Sequence, residues 1–367
     1  MKKYLTLLFA ALLAGCAAAP DTAQNVLTVT GSYPLSYARE FTVDECAGGY
    51  NLLTIDGSRY LTVPAGAAVP NGLDADITIL QLPLQNIYLV STSAMDPIIR
   101  IGGLDAVALS GTQAEGWYLP EARAAMQNGE IAYAGRYSTP DYETILSAGC
   151  DLALENTMIY HTPKVKEQLE SCGIPVLVER SSYESDPLAR MEWVKLYGIL
   201  LDRQQQAEQL FDAAVQQIAP LAGQKSTGKT AAFFSITSNN LATVRKGNDY
   251  VAKMIELAGG QYVFSDLTDD GNNLATVNIS LEEFYAAAKD ADVLFYNSTI
   301  EGELHTLDEL VAKCPALADC RAVQNGQVYC TAQSLFQQSM ELPALILDMH
   351  KVFVSDDGDF TFLTKLQ

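Results

Sequence analysis

The chain has 367 residues, 49% hydrophobic, 18% charged and 9% aromatic, which excludes a disordered or fibrous protein and suffices for about two domains with cores of their own. The formal net charge is -21, from 23 basic and 44 acidic residues, a balance that argues against nucleic-acid backbones as partners. Only three histidines occur, His161, His305 and His350, and their spacing fits no zinc motif.

At the N-terminus Lys2 and Lys3 precede an apolar run from Tyr4 to Leu13, and Leu13-Ala14-Gly15-Cys16 follows. A charged start, a short apolar core and small residues form an export signal, and the run is too short to span a bilayer. Leu-Ala-Gly-Cys resembles the bacterial lipobox, in which the cysteine is acylated and becomes the new N-terminus. Residues 1–16 are therefore expected to be a lipoprotein signal ending in a lipidated Cys16, and two acyl chains would hold the protein at a membrane. Residues 17–28 are small and polar, as in a tether.

Residues 29–80 read as a β-rich element. Asp56-Gly57 lies between two strand-like runs, a hairpin signal. Residues 81–186 then alternate strands with helices. Ile87–Val90, Ala106–Leu109, Asp151–Leu154 and Ile174–Val178 are the strand runs; Pro120–Gln127, Asp141–Ser147 and Lys164–Cys172 are helical. Residues 187–222 carry Leu188, Met191, Val194, Leu201, Leu210, Ala214, Ile218 and Leu221 at helical spacing. This pattern predicts one helix of roughly 50 Å at 1.5 Å per residue. Residues 223–367 return to the βα rhythm: strands at Thr230–Ile236, Val293–Tyr296 and Gly326–Cys330, helices at Tyr250–Ala258, Leu281–Lys289, Leu307–Lys313 and Glu341–Phe353. The predicted fold is α/β: two α/β lobes joined by one long α-helix, with a cleft between them and limited hinge motion.

Six cysteines follow the lipobox: Cys46, Cys150, Cys172, Cys314, Cys320 and Cys330. None forms a Cys-x-x-Cys pair. One disulfide among the last three, or buried free thiols throughout, are both compatible with the spacing.

The order lobe, long helix, lobe, on a lipid-anchored exported chain, resembles the substrate-binding proteins of ABC importers for iron complexes, haem and vitamin B12. The local runs that carry the likeness are Glu143-Thr-Ile-Leu-Ser-Ala-Gly-Cys-Asp151, Val165-Lys-Glu-Gln-Leu-Glu-Ser-Cys-Gly173-Ile-Pro-Val176, Tyr250-Val-Ala-Lys-Met-Ile-Glu-Leu-Ala-Gly-Gly260, and Ser280-Leu-Glu282 followed by Asp292-Val-Leu-Phe295. Gly149-Cys150 stands where the family usually has Asn/Lys-Pro. The likeness spans roughly 85–350. Residues 29–80 are not a familiar part of it.

The resemblance implies two surfaces. One glutamate per lobe, Glu143 and Glu282 by motif position, would dock on arginines of the membrane permease, and separated carboxylates would orient such a basic partner. The second surface is a ligand cleft at the C-terminal ends of the strands. The loops there offer Ser93, Met95, Trp117, Tyr118, Asn156 and Tyr160 from the first lobe and Asn239, Arg245, Asn297, Ser298 and Phe336 from the second. Trp117 and Tyr118 suit stacking on a bulky ligand, and Arg245 suits a carboxylate, catecholate or propionate. Tyr160-His161 could ligate iron or simply start a helix.

No Gly-x-Ser-x-Gly, His-Glu-x-x-His or phosphate-loop pattern is present. Asp269-Asp270-Gly271-Asn272-Asn273 lacks the spacing of a calcium loop. The expectation is a non-enzymatic, monomeric receptor for a ferric siderophore, with haem or cobalamin as other cargo. Partners would be a permease and, through the lipid, a membrane. The competing class is a lipid-anchored sensor or adhesion protein, which would bind protein or glycan instead.

Overall fold

The computed structural model describes residues 27–268, 275–355 and 358–367. Cys16 with its lipobox, the 269–273 turn and Asp356-Asp357 lie outside the described residues.

The first sheet has five strands in the order β1 to β5: β1 (Val29–Ser32), β2 (Phe41–Cys46), β3 (Tyr50–Ile55), β4 (Ser58–Val63) and β5 (Ile77–Gln81). Asp56 and Gly57 join β3 to β4 with φ of 48° and 77°, the paired positive values that a two-residue hairpin turn demands. Phe41, Val43, Leu53 and Ile55 are buried, so alternate positions on β2 and β3 face the core.

The second sheet is parallel, in the order β12-β11-β6-β7-β8. It is built from β6 (Ile87–Leu89), β7 (Val107–Ser110), β8 (Ala132–Tyr133), β11 (Leu152–Asn156) and β12 (Val176–Glu179). Helices α1 (Thr92–Arg100), α2 (Pro120–Gln127), α3 (Tyr142–Ser147) and α4 (Pro163–Ser171) lie between them, and β9 (Gly135–Arg136) and β10 (Thr139–Pro140) form a small hairpin. β6 and β12 are buried along their whole length, as parallel strands covered on both faces must be.

The connector is divided into α5 (Pro187–Glu192), α6 (Val194–Leu200) and α7 (Gln204–Ile218) rather than running as one helix. Asp202 sits at φ 54° in the break. Every residue from Pro187 to Leu201 is buried, so this stretch is enclosed on all sides. In α7 only Ala207, Phe211, Ala214 and Ile218 are buried, one helical face. The apolar spacing therefore merges three helices, of which the enclosed α6 and the one-sided α7 differ in surroundings. They pack tightly at Gly198, where a Cβ would fall 2.7 Å from the Cβ of Ala207.

The third sheet runs β16-β14-β13-β17-β18-β19, with β15 paired to the start of β13. Its strands are β13 (Thr230–Ile236), β14 (Leu241–Arg245), β15 (Gln261–Tyr262), β16 (Thr276–Ser280), β17 (Val293–Tyr296), β18 (Val328–Thr331) and β19 (Leu363–Lys365). Helices α8 (Tyr250–Leu257), α9 (Leu281–Ala288), α10 (Ser298–Glu301), α11 (Leu307–Lys313), α12 (Arg321–Gln324) and α13 (Leu342–Val354) flank it. One continuous core joins residues from all three sheets and the connector, and a smaller cluster around Tyr88, Ile145 and Ile159 lies within the second sheet's layer.

Buried carboxylates tie the first sheet to the connector. Glu192 accepts from the backbone N–H of Ser36, Tyr37 and Ala38 at 2.7–2.9 Å and pairs with Lys195 at 2.8 Å. Glu184 accepts from the N–H of Arg39 and Glu40 and from Trp193 Nε1. Arg180 reaches Glu40 and Asp56. All six cysteines that follow Cys16 are free thiols. Burial pushes Cys150 and Cys320 up to about 11, which keeps them protonated and unreactive near neutral pH.

Candidate ligand cleft

A cavity of about 260 Å³ opens where β6, β11 and β12 end, facing α5, β14 and α8. Ser91, Ser93, Asn156 and Glu179 form one wall; Arg190, Arg245, Tyr250 and Phe336 form the other. Strand ends facing a second layer across a crevice are the usual place for a ligand in α/β sheets.

The cationic wall is built around Tyr250, the first residue of α8. The guanidinium carbon of Arg190 stands 4.8 Å from its ring centroid, and that of Arg245 stands 5.8 Å from it. Arg245 also lies 4.9 Å from the Phe336 ring. Cation–π contacts of this kind hold the arginines in place without consuming their N–H donors. Arg245 approaches Asp249 at 3.6 Å. Burial lowers the Arg245 pKa, but Asp249, Tyr250 and Tyr262 outweigh it and hold the group above its usual value. Burial pushes the Asp249 carboxyl above the usual range despite Arg245. Arg190 is 7% exposed, and among the described residues its guanidinium makes no hydrogen bond or ion pair. Two desolvated guanidiniums with unspent donors form a site for an anion.

Of the sequence-predicted ligand residues, the structure brings Ser93, Asn156, Arg245 and Phe336 to this cavity. It places the others elsewhere. Trp117 is fully buried with Nε1 donating to Ser110 Oγ at 3.2 Å, so its ring is a core element and not a stacking surface. Met95 is also fully buried, on the core side of α1. Asn297 caps α10, accepting from Thr299 N, and Ser298 Oγ donates to the Thr331 carbonyl, so both are occupied inside the third sheet's layer. Tyr160 hydroxyl lies 3.3 Å from Asp56 and 3.4 Å from Arg180, against the first sheet. Asn239 lies exposed in the turn between β13 and β14.

Tyr118 instead helps bridge the lobes. Its hydroxyl donates to Gln333, its backbone N–H donates to Gln337 Oε1 at 2.7 Å, and Gln337 Nε2 donates to the Gly116 carbonyl at 2.8 Å. A second strap joins α1 to the turn before α13. Arg100 pairs with Asp96 and Glu341, Met340 N donates to Asp96 at 2.8 Å, and Ser339 Oγ donates to the Ser93 carbonyl.

Sequence reasoning missed Arg190, Glu179 and Tyr250. Arg190 sits in the all-buried part of the connector, and a charge there is the one signal that could have marked it. Glu143 and Glu282 are exposed in the first turns of α3 and α9, on different lobes. Among the described residues no three His, Cys, Asp or Glu side chains converge to hold a metal ion, and no helix is long and apolar enough to cross a membrane.

Comparison with known proteins agrees with this architecture. An uncharacterized lipoprotein of Methanocaldococcus jannaschii is 24% identical over 305 residues, covering 80% of this chain and 72% of its own. A periplasmic haem-binding protein from Pseudomonas aeruginosa superposes with a TM-score of 0.61 at 17% identity, covering 77% of this chain and 98% of its own. A protein of an ABC-type Fe3+-hydroxamate transport system from Saccharomonospora viridis superposes with a TM-score of 0.57 at 21% identity, covering 74% and 94%. The model of the periplasmic binding protein family matches residues 91–335, a span that holds the connector, every strand of the second and third sheets except β6 and β19, and the named cleft residues except Phe336, and the chain belongs to that family.

Proposed function

We propose that the protein is an extracytoplasmic receptor that captures an anionic iron complex, a ferric siderophore, and delivers it to the permease of an ABC importer. The observation that carries the reading is the pairing of Arg190 and Arg245 around Tyr250. In a chain of net charge -21, Arg190 is a buried cation with no ion pair among the described residues and Arg245 has only the 3.6 Å contact with Asp249, so an anionic ligand offsets their desolvation. Carboxylate or catecholate groups of a ferric complex match them in charge and geometry. The cavity is at the low end of ligand-pocket sizes, so it takes the anionic part while the rest of the complex spreads across the mouth. Haem fits less well, because no histidine lines the cavity and its one tyrosine, Tyr250, is 2% exposed beneath the guanidiniums. A corrinoid brings one phosphodiester anion for two guanidiniums, a poorer charge match. Glu143 and Glu282 serve as the docking pair for the permease, and Cys16 as the lipid attachment; both roles rest on motif position.

The test uses soluble protein beginning at Ala17, titrated calorimetrically with ferric citrate, a ferric tricatecholate, haemin and cyanocobalamin. Saturable binding of a ferric complex, weakened about tenfold or more in Arg190→Gln and Arg245→Gln, is the expected result for charge-assisted hydrogen bonds. Binding of cyanocobalamin alone, or ferric binding indifferent to both substitutions, overturns it. Silence toward all four moves the sensor or adhesion reading forward.

A further inference from the structure

The wall facing the arginines has the opposite polarity. Glu179 ends β12 and is 2% exposed. Its Oε2 accepts from Ser91 Oγ at 2.8 Å and from Ser93 Oγ at 3.0 Å, and its Oε1 accepts from the Ser181 N–H at 2.7 Å. Ser91 Oγ and Ser93 Oγ also lie 3.1 Å apart, and a serine hydroxyl has one proton to give, so each serine spends its proton on Glu179 or on the other serine. What they turn toward the cavity is lone pairs. Asn156 spends its Oδ1 on Met158 N–H and one amide proton on the Val90 carbonyl. Across the cavity, Arg190 and Arg245 can only donate.

We infer that Glu179 is a positioning residue that turns Ser91 and Ser93 into acceptors, so that the cleft selects zwitterionic metal complexes, with a protonated amine against the serines and an anionic group against the arginines. The inference rests on the anionic-complex reading and narrows it. An ammonium gains twice at that wall: it donates to the serine oxygens, and it approaches the carboxylate one hydrogen bond behind them. A complex without such a donor would meet lone pair against lone pair there, and specificity built on unpaired polar groups discriminates strongly.

The probes are ferrioxamine G1, which carries one primary amine and one carboxylate, and its N-acetyl derivative. The wild-type protein is expected to bind the amine form at least about tenfold more tightly. Glu179→Gln frees the serine protons and should bring the two affinities within about twofold, while a merely structural role for Glu179 would weaken both probes and leave their ratio intact. An N,N,N-trimethyl form, charged but without donors, should fall between them on the wild-type protein. If Glu179→Gln does not fold, the wild-type ratio decides the matter alone. Equal wild-type affinities, or a ratio that survives Glu179→Gln, overturn the inference and leave the anionic-complex reading standing. Binding of neither probe overturns the inference too, and if ferric citrate and the tricatecholate also fail, the broader reading falls with it.

Discussion

Ser339 Oγ donates to the Ser93 carbonyl at 2.8 Å, and that carbonyl is free because Pro97, four residues on, has no N–H to give it. A proline inside α1 thus creates an acceptor at the cleft edge, and a residue just before α13 fills it. Ser93 faces the cavity with its side chain and the other lobe with its backbone.

Ser339→Ala should remove this one bond, at a cost of about 1 kcal/mol. The expected signature is local: faster amide exchange at Met340 and Glu341 with little change in global melting. A global loss of several kcal/mol would mean that the strap supports more than the lobe contact.

Trp117→Phe tests the reassignment of that residue. Truncating a buried indole and losing its bond to Ser110 should lower stability by about 1–3 kcal/mol, read as a shift in the urea midpoint. Affinity for a bound ferric complex should stay within about twofold, whereas a ring that stacked on ligand would lose far more.

Glu155 has both carboxyl oxygens buried without a partner, and burial pushes it up to about 8. The proton is held more tightly in the folded state than in the unfolded one. Its favourable contribution is therefore complete below the ordinary glutamate range near 4.5 and is lost as pH rises toward 8. Glu155→Gln should flatten the stability profile across that window and leave the protein more stable at pH 8. An unchanged slope would show that Glu155 is not its source.

Glu192 behaves in the opposite sense. Burial raises its pKa, but Lys195 and the N–H groups of Ser36, Ala38 and Tyr37 outweigh that and hold it below the usual range. Its contribution is present above the unfolded value and fades only as pH falls through the lower folded one. Glu192→Ala strands the buried Lys195 and three backbone donors, of which the Ala38 N–H is buried, a loss of about 3–5 kcal/mol, measurable by denaturant unfolding at pH 7.

Glu143→Lys and Glu282→Lys alter exposed first-turn positions, so folding should change by about 1 kcal/mol or less and ligand affinity should hold. Uptake by cells or vesicles containing the cognate permease should drop, most in the double variant. Normal uptake in that double variant would remove the docking assignment.

Much of the α/β alternation was legible because buried parallel strands are short apolar runs between turn signals. Ile87–Val90, Asp151–Leu154, Thr230–Ile236 and Val293–Tyr296 each coincide with a strand to within two residues at either end. The Asp56-Gly57 turn was legible because few residue pairs tolerate two positive φ values. The connector was misread as continuous because spacing alone does not separate an enclosed helix from an amphipathic one following it. The cleft was half legible. Loop position brought out Arg245, Ser93, Asn156 and Phe336, but whether a loop aromatic such as Trp117 turns inward is settled by distant packing. Arg190 was hidden among apolar neighbours whose periodicity signals core.

The enclosure of Pro187–Leu201 has a thermodynamic consequence. A segment buried along its whole length, in one core shared with residues of all three sheets, cannot loosen without opening a cavity in that core. Heating should therefore give a single calorimetric transition with equal van't Hoff and calorimetric enthalpies, despite the multi-sheet architecture. On the proposed function, such a body predicts cargo capture with little change in hydrodynamic radius and an association rate set by diffusion and orientation.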